Sequence, residues 1–175
     1  MKISLTPLAL AHALLLSGAC GAFAQDRAVA PIDPARFYKG SWLEVARRPM
    51  WITDGCVAGT TSYGQGDRPD RIRVRDACRK GAEEVVLNGD GEILDPGVNS
   101  RVRVRYNPLL SVDYHIVDRA PDYSWFIGTS PTLDNLFIYT RKRPSAERLG
   151  KLVARARALG YDTSTLEFPW SGSSR

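Results

Sequence analysis

Arg71-Ile72-Arg73-Val74-Arg75 and Arg101-Val102-Arg103-Val104-Arg105-Tyr106 alternate charged and apolar residues with a period of two. Successive side chains of a strand point to opposite faces, so each stretch sends its guanidinium groups one way and its apolar groups the other. Two such strands imply a sheet with a wet outer face and a dry inner one. Ile72, Val74, Val102, Val104 and Tyr106 then face inward. Outward from these two stretches, strand-like runs recur near 41–47, 56–63, 71–78, 83–87, 92–95, 100–106, 112–118, 124–128 and 135–141. Turn residues cluster between them: Gly64-Gln65-Gly66-Asp67-Arg68-Pro69-Asp70, Asn88-Gly89-Asp90-Gly91, Asp95-Pro96-Gly97, Pro121-Asp122 and Pro131. Many short strands with regular turns and no intervening helical pattern predict an antiparallel sandwich or barrel.

The period changes after Pro144. Leu149, Leu152, Val153 and Ala156 recur at i, i+3, i+4 and i+7, with Arg148, Lys151 and Arg155 on the other face. Ser145 is placed to cap the helix, Glu147 suits its positive end, and Gly160 follows its last turn. This predicts one amphipathic helix of about four turns. Its apolar stripe needs a partner, and the outer wall of the sheet is the only large candidate.

The first 24 residues read as a targeting segment. Met1-Lys2 is a short basic end, Leu8 to Leu16 an apolar run, and Ala22-Phe23-Ala24 the small-x-small pattern that precedes cleavage, leaving Gln25 first. A rival reading takes Leu16-Ser17-Gly18-Ala19-Cys20 as a lipobox with Cys20 lipidated, although Ser17 stands where Leu is usual. Both readings send residues 25–175 out of the cytoplasm as a single domain, to the periplasm or, tethered through Cys20, to the outer membrane. Losing Lys2 lowers the net charge from +5 to +4. That mild basicity suits weak attraction to anionic head groups and is equally ordinary for a solvated surface. Cys56 and Cys78 remain, placed almost symmetrically about the 64–70 turn. In an oxidising compartment a lone pair is most simply a disulfide, and a free reactive thiol is the alternative.

Three spaced signals then line up. Gly40-Ser41-Trp42 opens the first strand. Asp118 and Asp122-Tyr123 flank the turn between two late strands. Leu136-Phe137-Ile138-Tyr139-Thr140-Arg141 ends the last strand before the helix. The set resembles the lipocalin family: G-x-W on the first strand, a T-D-Y-like turn, and an arginine closing the last strand. It looks closest to the bacterial outer-membrane lipoprotein type, similar to apolipoprotein D and plant temperature-induced lipocalins. The likeness covers most of residues 33–166, with Pro121 where the family turn usually has Thr and Arg143 as a second arginine near Arg141. The resemblance implies an all-β, eight-stranded antiparallel up-and-down barrel with one C-terminal helix outside. A short extended segment near Thr165–Phe168 returns to the wall. It also implies that Trp42 plugs the closed end and that Arg141 packs across its ring.

The resemblance further implies a cavity that binds, stores or transports a hydrophobic or amphipathic ligand in the cell envelope, a fatty acid or lysophospholipid foremost. Tyr63, Ile72, Val74, Val102, Val104, Tyr106, Tyr114, Trp125, Phe137 and Tyr139 are the expected wall. The same side chains could instead fill a solid core and leave a structural or partner-binding barrel. An isomerase using a cavity cysteine is the enzymatic alternative. Catalysis is otherwise poorly supported, because His115 is the sole histidine beyond the leader and no G-x-S-x-G occurs. One histidine and two cysteines cannot make a zinc tetrad, and no cofactor is expected. Nucleic-acid binding is disfavoured because the arginines alternate with aliphatic residues rather than with stacking rings. Either a monomer or a homodimer is compatible with the sequence.

Overall fold

A computed structural model describes residues 29–131 and 134–170; the leader, Cys20 and Gln25 lie outside the described residues. A short helix α1 (Pro34–Phe37) is followed by β1 (Gly40–Arg47) and a 3-10 turn at Trp51–Thr53. Next come β2 (Val57–Gln65), β3 (Arg71–Lys80), β4 (Glu83–Ile93), β5 (Arg101–Asn107) and β6 (Leu110–Arg119). Then β7 (Trp125–Ser130), β8 (Asn135–Thr140) and α2 (Ala146–Ala158) complete the chain. Every strand pairs antiparallel with the next, and β8 returns to β1, closing a barrel with no free edge. An eight-stranded closure is just wide enough for side chains or one small ligand.

The alternating stretches take the predicted faces. Val74, Val102 and Val104 are buried in the inner cluster, together with Trp42, Ile72 and Phe126. On the outside Arg71 reaches Glu92 at 3.1 Å, Arg75 reaches Glu84 at 3.1 Å and Arg103 reaches Asp113 at 2.7 Å. Such exposed pairs each contribute at most about 1 kcal/mol, so they chiefly keep the outer face wet.

One part of the strand reading is corrected. The runs 83–87 and 92–95 belong to one continuous strand, β4, and Asn88-Gly89-Asp90-Gly91 is its interior rather than a turn. The glycines serve close approach: a Cβ at Gly91 would stand 2.5 Å from Ile72 Cγ1, and one at Gly89 2.6 Å from Val104 Cγ1. Here the missing side chain makes room for the inner packing of neighbouring strands.

Helix α2 is capped by Ser145, whose hydroxyl accepts from Arg148 N at 3.2 Å. Leu152 and Ala156 are buried against Val45, Ile127, Leu136 and Ile138 on the barrel's outer wall. Strands β1, β7 and β8 are therefore covered on both faces, which is why β7 is buried throughout. Glu167 bridges Arg47 as an extra antiparallel contact, with N–H···O bonds of 3.0 and 2.8 Å, so the C-terminal segment does return to the wall.

Candidate functional site

One end of the barrel is shut. Asp33 caps α1 by accepting from Ala35 N at 3.0 Å, which sets Phe37 and Tyr38 across the barrel floor. Phe37 packs on Trp42 and Phe126 with centroids 5.2 and 5.0 Å apart. The Arg141 guanidinium lies 3.5 Å from the Trp42 ring centroid, within cation–π range. It also donates to the carbonyls of Lys39 at 2.7 Å and Ser41 at 3.0 Å, and to those of Phe37 at 3.0 Å and Arg36 at 3.3 Å. A planar group with five donors suits this double task of stacking and clamping. Arg143 does neither; it donates to the Trp170 carbonyl.

The remaining motif residues brace this end. Tyr123 has φ +59°, its hydroxyl accepts from Asp33 N at 3.0 Å, and its ring lies between Arg36 and Arg119, each 4.7 Å away. Asp122 accepts from Ser124 N at 3.0 Å across the turn containing Pro121. Asp118 pairs with Arg155 of α2, whose guanidinium stands 5.4 Å from the Trp125 ring. These residues hold shape, and none of them lines the barrel cavity.

Above the floor lies a cavity of about 140 Å³ that opens at the other end, past Trp51, Ile52, Val85, Leu87 and Leu110. Of the ten expected wall residues, Tyr63, Val74, Val102, Val104, Tyr106, Tyr114, Phe137 and Tyr139 line it. Ile72 and Trp125 do not. Ile72 stays in the inner cluster, wedged against Gly91. Trp125 sits outside, under α2, because residues of β7 alternate between two dry layers and its parity selects the outer one.

The cavity also carries polar groups that periodicity did not single out. Arg47 is almost fully buried; it reaches Glu44 at 2.7 Å and Glu167 at 3.0 Å and donates to the carbonyls of Thr53 at 3.1 Å and Cys56 at 2.8 Å. Glu44 fits because its neighbour on β2 is Gly59, where a Cβ would come within 2.5 Å of Oε2. Burial pushes the Glu44 carboxyl above its ordinary value in spite of the Arg47 charge. Two strands away Asp76 accepts from Thr61 Oγ1 at 2.6 Å and from the Tyr106 hydroxyl at 2.5 Å. Tyr106 in turn meets the Tyr114 hydroxyl at 3.0 Å. Enclosure raises the Asp76 carboxyl too, and these two hydrogen bonds pull it back only in part. The tyrosines are held well into their neutral form, by burial first and by the neighbouring carboxylate second. A signal for this band existed: Glu44 and Asp76 break the apolar side of two predicted strands.

Cys56 and Cys78 stand at the open end and are bonded to each other, with Cα atoms 5.5 Å apart. Neither is a free thiol, so the cysteine-dependent isomerase reading has no nucleophile in this state.

A family model described as a lipocalin-like domain matches residues 32–171. A protein of Acanthamoeba polyphaga mimivirus named as a lipocalin, R877, is 26% identical over 139 residues, covering 74% of this chain and 79% of that one. Insecticyanin from the tobacco hornworm Manduca sexta superposes with a TM-score of 0.63 at 15% identity, over 83% of both chains. Lobster apocrustacyanin A1 gives 0.60 at 16% identity, over 78% of both. With the closed eight-stranded barrel, the Trp42–Arg141 plug and a family match that spans most of the sequence, the chain belongs to the lipocalin family.

Proposed function

We propose that this protein binds and carries a hydrophobic or amphipathic small molecule in the cell envelope, with fatty acids and lysophospholipids as the first classes to test. Lipocalins generally bind small hydrophobic ligands. The observation that carries the reading is the one-ended cavity, shut by Trp42 and α1 and walled by Val74, Val102, Val104, Val112, Phe126 and Phe137. A volume near 140 Å³ matches a void that holds a benzene-sized body, so a longer ligand runs its chain out through the mouth. There Trp51 is 79% exposed and Leu109 in the adjoining turn 97% exposed, offering further apolar contact. Each methylene removed from water contributes about 0.8 kcal/mol, so five or six already give useful affinity.

The test is calorimetric titration of the oxidised protein with hexadecanoate, lysophosphatidylcholine and a neutral 1-alkanol. Native mass spectrometry then counts the bound molecules. One saturable site that is lost in Val112→Trp, which fills the cavity wall, supports carriage. Failure of every amphiphile to saturate, with wild type and Val112→Trp alike, leaves a barrel filled by its own side chains and a structural role. The envelope assignment, periplasmic or tethered as an outer-membrane lipoprotein, rests on residues 1–24. Mass spectrometry of the native N-terminus separates Gln25 from acyl-Cys20, and Cys20→Ala releases the protein from membranes only if the cysteine is lipidated.

A further inference from the structure

The wall of this cavity is not uniformly apolar, and its polar band bears on which head group it accepts. Two carboxyl groups enter it, Glu44 from β1 and Asp76 from β3, two strands away. Glu44 is matched by Arg47 at 2.7 Å. Asp76 has hydroxyl partners alone, Thr61 at 2.6 Å and Tyr106 at 2.5 Å, and among the described residues no cation pairs with it. Its surroundings are Val74, Val104 and the rings of Tyr63, Tyr106, Tyr114 and Tyr139, all lining the same void. A carboxylate has about four lone-pair positions, and here two are taken. The unused acceptor capacity faces a space that a ligand would fill.

We infer that Asp76 and the hydroxyl groups around it select ligands that bring a hydrogen-bond donor into the barrel, a primary ammonium above all and a hydroxyl next, over ligands that bring a carboxylate. This rests on the reading of the cavity as a binding site and goes beyond it by assigning the chemistry of the inserted group. Two carboxylates a few ångströms apart in a low-dielectric site cannot both stay ionised, so a fatty acid entering head-first would have to take up a proton or be turned away. An ammonium meets the opposite situation. It loses its hydration shell and regains a charge-assisted bond to Asp76, with the tyrosine oxygens of Tyr106 and Tyr114 as further acceptors. A hydroxyl loses little hydration and finds both donors and acceptors in the band. The size of the void adds that the inserted part is compact: a short chain or one ring. Arg47 is a poor competing anion site, because Glu44, Glu167 and two carbonyls already take four of its five N–H donors and two carboxylates already balance its charge.

The experiment titrates the oxidised protein at pH 7 with octylamine, 1-octanol and octanoate, three ligands of one chain length that differ in head group. The expected order is amine, then alcohol, then carboxylate, with the amine ahead of the carboxylate by on the order of thirtyfold. Asp76→Asn keeps the shape and removes the charge, and is expected to erase most of the amine's lead while leaving octanol within a few-fold. The wild-type series needs no variant, so the inference stays open to refutation even if Asp76→Asn does not fold. Equal binding of amine and carboxylate, or a carboxylate that binds tighter, overturns the inference and leaves the carrier reading standing. An amine lead that survives intact in a folded Asp76→Asn protein overturns the role of Asp76. Absence of saturable binding by all three overturns the carrier reading and the inference with it.

Discussion

Replacing Arg47 with Met should be among the most damaging single substitutions in this barrel. The guanidinium is 2% exposed and is, among the described residues, the sole cation paired with Glu44, whose side chain is 8% exposed. Breaking a buried pair from one side leaves an uncompensated charge and costs about 3–5 kcal/mol. The second ion pair, to the 45%-exposed Glu167, adds little, because water already screens that carboxylate. The carbonyls of Thr53 and Cys56 lose a donor, about 1 kcal/mol each. For a domain of this size the sum, about 5–7 kcal/mol, lowers Tm by roughly 10–28 °C. The penalty is pH-dependent. Burial already raises the folded-state Glu44 above its ordinary value of 4.5, and removal of Arg47 raises it further. A carboxyl with a raised folded pKa holds its proton in the native state, so stability is present at low pH and lost as pH climbs from 4.5 through the folded value. Urea unfolding of oxidised protein, followed by tryptophan fluorescence, should therefore show a smaller penalty at pH 5 than at pH 8. The double variant Glu44→Leu/Arg47→Met should recover to within about 1–2 kcal/mol of wild type, the remainder being the two carbonyls. A penalty below about 1 kcal/mol at pH 8, or one equal at both pH values, would refute the assignment of Glu44 as a buried, ionised partner.

Arg141→Ala should cost about 2–4 kcal/mol, since it removes a stacked cation and four bonds to carbonyls, and Arg141→Lys should restore only part of it because an ammonium cannot stack and clamp together; a lysine variant as stable as wild type would argue against the clamp. Reduction of Cys56–Cys78, 22 residues apart, should lower stability by about 3 kcal/mol, and intact mass should rise by two hydrogen atoms only after reductant is added. Gly91→Ala should destabilise by about 1–3 kcal/mol through overpacking on Ile72, and Ile72→Ala in the same chain should relieve the clash, leaving the double variant less damaged than the two single losses combined. Strict additivity in that cycle would show that Gly91 and Ile72 do not share the space.

Much of the architecture could be read in one dimension. The period of two at 71–75 and 101–106 is a local property, set by the pleat of a strand, and it holds wherever the strand is placed. The same is true of the 3.6-residue stripe of α2 and its Ser145 cap. The pairing of Trp42 with Arg141 was available from the family resemblance, and the cation does lie over the ring. The cysteine pair was legible from its symmetry about one hairpin, where β2 and β3 run side by side. Gly89 and Gly91 misled because turn formation and close packing draw on the same residue, and a strand interior differs from a turn only in what lies opposite. Trp125 misled for a related reason: β7 is dry on both faces, so hydrophobicity no longer separates the inner layer from the outer.

The sequence by itself determined the alternating strands and the single amphipathic helix, because each follows from short-range geometry, and the plug at the closed end came from the family resemblance carried by its motifs. Only the tertiary structure decided how wide the interior is and what its polar band contains. Glu44, Thr61, Asp76, Tyr106, Tyr114 and Tyr139 come from six different strands, and they meet only because closing the barrel turns their faces toward one axis. A carboxylate in a linear chain carries the same charge wherever it falls; its enclosure, its partners and the head group it prefers arise from distances between residues far apart in sequence.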